Sequence, residues 1–251
     1  LITFEKTTGM RDSGSTEKGT LVAAKAIKKV NPRTKILYYR NILVHYPFYL
    51  ADDDFAEIPN ALLSGKKGNT KLVRGNTGAY DLSNPAVQKW WLKNARAMCG
   101  STYIDGLFVD GNIKALEPNY LRKQVGEKKK AAVEKAYHKM MKELQETTGR
   151  DSIIIANILR ARFDDAGLDY LDYFDGSYIE QFEHNVGGMS REEYMAKGIK
   201  AVQTAARQGK VIALTMGMGK EVESEMGIDE VRAEVGDAAT IERRFTYSLA
   251  V

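Results

Sequence analysis

Short apolar runs alternate with long amphipathic ones along the chain, and that rhythm restricts the fold more than any other feature. Residues 1–5 predict a strand, and residues 16–30 predict a helix stopped by Asn31 and Pro32. A second strand is expected over 35–40, followed by a long irregular segment over 41–80. Residues 81–85 open the next helix, with Ser83 or Asn84 as its cap and Pro85 suited to its first turn. That helix runs through Trp90 and Trp91 to Met98. Further strands are expected at 106–110, 152–157, 176–180 and 210–215, separated or followed by helices at 127–148, 191–207 and 238–251.

Strands that alternate with helices imply parallel strands joined by right-handed crossovers. Such a chain forms either an open doubly wound sheet or a barrel. Residues 7–14, after the first strand, match neither the dinucleotide nor the phosphate-loop glycine pattern. Polar residues end most strands instead of gathering at one switch point. The expected fold is therefore an α/β (β/α)8 TIM barrel, a single catalytic domain over residues 1–251. About six βα units are readable, so the barrel is expected to be truncated at one or both ends. Hydrophobic residues make up 43% of the chain, enough for a sizeable core, and charged residues 28%.

Two strands echo one another. Asp105, Gly106, Leu107, Phe108, Val109 and Asp110 match Asp175, Gly176, Ser177, Tyr178, Ile179 and Glu180 in pattern. Strand side chains alternate faces, so in each strand the glycine, the aromatic and the final acid share one face. Phe108 and Tyr178 should fill the barrel interior, with Asp110 and Glu180 above them at the mouth. Val109 and Ile179 should meet the outer helices. An acid ending an apolar strand is costly unless paired or solvated, and a barrel's C-terminal mouth is where catalytic groups lie. Two such carboxylates are what glycoside hydrolysis uses. The bland alternative for either acid alone is a helix cap or an ion pair. Asp175, at the foot of its strand, reads as a stabilising acid.

Other strand ends supply candidate substrate-binding residues: Glu5, Arg40, Asn41 and Asn157. Asn157 should face inward, for a sugar hydroxyl, for orienting a carboxylate, or for closing its loop. His45, Tyr46, Glu183, His184 and Lys220 follow strand ends and complete the set. His138 sits mid-helix and reads as surface. Residues 45–49 are dense in aromatics, which suit either sugar stacking or loop anchoring. Residues 65–74 carry four cations, either a solvated loop or a grip on anionic groups of a polysaccharide.

Cys99 is the only cysteine, which excludes a disulfide framework and a zinc site built on cysteine pairs. Three scattered histidines lack metal-binding spacing, so neither metal nor cofactor is expected. No stretch approaches the roughly 18 apolar residues of a membrane span. The formal charge of +4 suits ordinary solubility or an anionic substrate. No nucleic-acid partner is expected.

On residues 105–110, on 81–85 leading to Trp90 and Trp91, and on 175–180, the chain resembles the hypothetical glycoside hydrolase families with (β/α)8 barrels. Some members of that broad group look like endo-acting enzymes on marine sulfated polysaccharides such as fucans. The resemblance implies a retaining mechanism with Asp110 as nucleophile and Glu180 as acid/base. It implies a polysaccharide partner and a secreted or periplasmic location. The residues alone leave stereochemistry open, because that depends on the separation of the carboxyl groups. They also leave open a non-catalytic carbohydrate-binding barrel. A barrel lyase or isomerase is a third reading, with Lys6 as base or a metal held by Glu5, Asp110 and Glu180.

Overall fold

The structure is a computed structural model that describes residues 1–111, 122–149, 151–179 and 188–214. The chain divides into two compact units: Leu1–Ile158 with Asp172–Asp175, and Leu159–Leu171 with Gly176–Val251.

The first unit holds four strands: β1 (Ile2–Thr3), β2 (Ile36–Asn41), β3 (Gly106–Asp110) and β4 (Ile153–Ala156). They pair in chain order, each neighbour parallel to the last. A doubly wound sheet reverses its strand order at a switch point, whereas these four strands advance without reversal, as they do in a barrel. Between them run α1 (Met10–Ser13), α2 (Thr16–Val30), α3 (Asp52–Ala56), α4 (Pro85–Cys99), α5 (Arg122–Val125) and α6 (Glu127–Thr147). The second unit contains β5 (Gly176–Ile179), α7 (Arg191–Arg207) and β6 (Val211–Leu214), with β5 parallel to β6. Strands in chain order alternating with helices are the pattern of a partial (β/α) barrel. The expected helix over 238–251 and the end of the fifth strand at Glu180 lie outside the described residues.

Local chemistry explains the helix boundaries. Ser15 caps α2 by accepting from the Lys18 N–H, and Asn84 caps α4 by accepting from the Ala86 N–H. A reciprocal Ser190–Glu193 capping box starts α7. α4 buries Val87, Trp90, Trp91, Ala95 and Met98, an i, i+3, i+4 stripe that faces the sheet. Trp91 is fully buried and its Nε1 donates to the Asn41 carbonyl at 2.9 Å, which ties α4 to the end of β2. His138 is half-buried, with Nδ1 2.9 Å from the Tyr173 hydroxyl, so it is not the surface residue expected from its place in α6.

The Asp–Gly pair common to both echoing strands is a strand-start device. Asp105 accepts from the Ile36 N–H of the preceding strand, and Asp175 accepts from the Ile154 N–H. A Cβ on Gly106 would stand 1.9 Å from the Ile153 carbonyl oxygen, and one on Gly176 2.0 Å from that of Val211. Neither position has room for a side chain.

Residues 41–80 are less irregular than expected. They include α3 and fold back through antiparallel bridges at Val44 and Ala79, Leu62 and Tyr80, and Val73 and Thr77. Leu72 and Val73 are buried and anchor the loop that exposes Lys66, Lys67, Lys71 and Arg74.

Candidate active site

β2 is buried along its whole length, so its alternation sorts its side chains into two environments. Tyr39 and Asn41 share the face that meets Phe108 and Asp110. Tyr38 and Arg40 point the other way, toward α4. In register, Tyr39 pairs with Phe108 and Asn41 with Asp110. Across the other edge of β3, Phe108 pairs with Ile155 and Val109 with Ala156. The Asn157 N–H donates to the Val109 carbonyl, which continues that ladder by one residue. An apolar layer of Tyr39, Phe108 and Ile155 is therefore followed by a polar layer of Asn41, Asp110 and Asn157.

Three donors converge on Asp110. The Tyr39 hydroxyl donates to Oδ2 at 2.5 Å, Asn41 Nδ2 donates to the same oxygen at 3.2 Å, and Asn157 Nδ2 donates to Oδ1 at 3.0 Å. The orientation of Asn41 follows from its own partners. Its Oδ1 accepts from the N–H groups of Leu43 and Val44, at 2.9 and 2.6 Å, so only its amide nitrogen faces the carboxylate. Burial raises the Tyr39 hydroxyl far above its usual range and the adjacent Asp110 carboxylate adds to the rise, so Tyr39 stays protonated and donates. Gly111 completes the turn at a φ of +87°, and a Cβ there would lie 2.5 Å from Asn41 Oδ1.

Tyr46 stands half-buried near this group. Lys6 Nζ lies 5.3 Å from its ring centroid. Burial raises its hydroxyl, the charges of Lys6 and Arg74 oppose that rise, and those of Asp110 and Glu5 reinforce it. Tyr46 is thus within electrostatic reach of all four. Glu5 is exposed and paired with Lys6 at 2.7 Å.

Arg40 is a correction to the sequence reading. It is fully buried on the opposite face of β2, with its guanidinium carbon 4.1 Å from the Tyr49 ring centroid and 4.7 Å from that of Trp90. None of its nitrogens has a hydrogen-bond partner among the described residues. Aromatic faces surround its charge, the Asp52 carboxylate also acts on it, and the side chain is closed off from solvent. His45 is likewise turned away from Asp110: its ring packs on Phe55 and Tyr80, with Nε2 3.6 Å from Asp52 Oδ1. Period-two alternation counted outward from Asn41 would have separated Arg40 from Tyr39, and would have found Tyr39. Glu180, Glu183, His184 and Lys220 lie outside the described residues. Among those described, no group of three or more histidine, cysteine or acidic side chains is placed to hold a metal ion, and no helix is long and apolar enough to cross a membrane.

The sequence profile of hypothetical glycosyl hydrolase family 15 matches residues 28–236, a span that includes the whole polar layer around Asp110. The chain belongs to that family. This member of the hypothetical family resembles solved glycoside hydrolase structures in fold. One is an α-galactosidase from Lactobacillus brevis, with a TM-score of 0.54 and 12% identity over 98% of this chain and 34% of that one. Another is a GH31 family sulfoquinovosidase from E. rectale in complex with an aza-sugar inhibitor, with a TM-score of 0.52 and 18% identity over 83% of this chain and 31% of that one. The chain spans about a third of the length of these structures. No curated protein matches it.

Proposed function

We propose that this chain is the barrel of a retaining glycoside hydrolase, with Asp110 as nucleophile and Glu180 as acid/base. The observation that carries the proposal is the donor set on Asp110. Tyr39, Asn41 and Asn157 all donate to it, and both carboxylate oxygens accept. A carboxylate held only by donors is oriented as an electron-pair donor. The group that delivers a proton to the leaving oxygen then stands elsewhere, and Glu180 holds the matching position in the sequence echo.

In the first step an Asp110 oxygen forms a bond to the anomeric carbon while the bond to the leaving oxygen breaks, and the Glu180 proton passes to that oxygen. In the second step Glu180 takes a proton from water, the water oxygen attacks the anomeric carbon, and Asp110 is released. Donors fixed before the reaction hold the carboxylate without reorganisation during it.

The substrate of this proposal is an anionic, sulfated polysaccharide of the fucan type. Lys66, Lys67, Lys71 and Arg74 are exposed on one anchored loop, and the Arg74 charge reaches Tyr46 beside Asp110. Such a polymer is degraded outside the cytoplasm, which fits a secreted or periplasmic enzyme.

The test is reducing-end release from a sulfated fucan and from neutral glycans. Asp110→Asn and Glu180→Gln should each abolish turnover while circular dichroism stays unchanged, and retained activity in both would sink the assignment. With azide present, Asp110→Gly should yield a glycosyl azide of inverted configuration, which identifies the nucleophile.

A further inference from the structure

The aromatic run over 45–49 does not act as a unit. Tyr49 is buried against Arg40, and the His45 ring is turned onto Phe55 and Tyr80. Phe48 alone is well exposed, at 46%. Its backbone also has a φ of +94°, a region that bulky residues rarely adopt and glycine enters freely. Strain retained at an aromatic residue that is nearly half exposed points to a use of its ring.

Hydrogen bonds fix where the backbone of Phe48 stands. The Phe48 carbonyl accepts from the N–H of Thr16, the first residue of α2, at 2.8 Å. Thr16 Oγ1 donates to the Lys6 carbonyl at 2.8 Å, and the Lys6 ammonium lies over the Tyr46 ring. α2 follows β1, so its N-terminus lies on the side of the strands' C-terminal ends, where Asp110 lies. Phe48 is therefore fastened to the rim of the same mouth, on the side of Lys6 and Tyr46.

We propose that Phe48 is a stacking platform for a pyranose ring of the bound polysaccharide, at a subsite on the rim away from the bond that is cleaved. The inference rests on the glycoside hydrolase reading above. The C–H groups on one side of a pyranose carry partial positive charge and meet the negative face of an aromatic ring. A platform at the rim grips the polymer without touching the reacting atoms, so its contribution falls on binding rather than on the chemical step.

The test uses the whole chain carrying Asp110→Asn, run by affinity electrophoresis through gels cast with a sulfated fucan, with dextran or with xylan. The Asp110→Asn chain should be retarded in at least one gel. Adding Phe48→Gly, which relaxes the backbone, or Phe48→Leu, which keeps apolarity without a ring, should weaken binding about tenfold, while Phe48→Trp should hold it within about twofold. Thermal stability of Phe48→Gly should not fall. The proposal is overturned if Phe48→Leu binds as well as Phe48 does, or if no gel retards the Asp110→Asn chain. It is also overturned if Phe48→Gly melts earlier, or if it converts a dimer to a monomer in light scattering. Phe48-dependent binding by a wild-type chain that releases no reducing ends would refute the hydrolase reading and leave the platform standing.

Discussion

The Tyr39 hydroxyl reaches Asp110 from the neighbouring strand and one residue layer below it, at 2.5 Å, and shares Oδ2 with the Asn41 amide. The reach exists because Tyr39 pairs with Phe108, two residues before the acid, and because a tyrosine is long enough to span one layer. The same two rings stack with centroids 6.0 Å apart, which holds the phenol in line.

Tyr39→Phe keeps that stacking and removes only the hydroxyl. A hydrogen bond to a charged group is worth about 1.5–3 kcal/mol, so kcat should fall on the order of 10- to 100-fold. KM and melting temperature should change little. An unchanged kcat would show that Tyr39 does not orient Asp110.

Arg40 has the opposite character. Its buried charge lies against aromatic faces without a hydrogen bond among the described residues. Arg40→Met preserves most of the volume and removes the desolvation cost, so stability should stay within about 1 kcal/mol or rise. Arg40→Ala leaves a void between Tyr49 and Trp90 and should cost about 3 kcal/mol. Substrate KM should be the same for Arg40→Met and the wild type, since the residue lies on the far face of β2. Denaturant unfolding and a KM measurement check both expectations.

Asp105 links folding to acid pH. Burial works to raise its carboxyl, but hydrogen bonds from Lys28, the Ile36 N–H and Lys35 outweigh burial and hold it below its usual range. A carboxyl depressed in the folded chain stabilises it above the unfolded value near pH 4, and that contribution is lost as pH falls further. Asp105→Asn should therefore flatten the decline of melting temperature below about pH 4 and cost about 2 kcal/mol at neutral pH. Gly106→Ala, next to it, should prevent folding because of the Ile153 carbonyl.

At the alkaline end, burial raises the hydroxyls of Tyr38, Tyr39, Tyr49 and Tyr80 above their ordinary range. An unfolded tyrosine releases its proton near pH 10, whereas these hold theirs in the folded chain. The stability they contribute is complete below about pH 10 and is lost as pH rises beyond it. Absorbance at 295 nm should show tyrosinate appearing in two phases, the later one coincident with loss of the far-ultraviolet helical signal. A single phase finished before unfolding would refute the burial effect.

Several elements are legible in the sequence. The strand at Gly106–Asp110 and the helix at Arg191–Arg207 have the expected bounds, and the start of the α4 helix follows from Asn84 and Pro85. These readings succeed because capping, proline placement and side-chain periodicity are local. The echo between residues 105–110 and 175–180 was also legible, but its Asp–Gly halves turn out to serve strand starts. The structure within the long segment over 41–80 was not legible, since its bridges join residues up to 35 positions apart.

Sequence alone determined the βα rhythm, the inward alternation along β3 and the place of Asp110 at a strand end. Only the tertiary structure decided which neighbours face that acid. Parallel register brings Asn41 and Asn157 level with it and Tyr39 one layer below, while the same alternation carries Arg40 into an aromatic cage on the other side. Register depends on pairing between strands distant in the chain, and one residue of shift would exchange the two faces. That is why Arg40 and Tyr39, adjacent in sequence, ended in opposite environments.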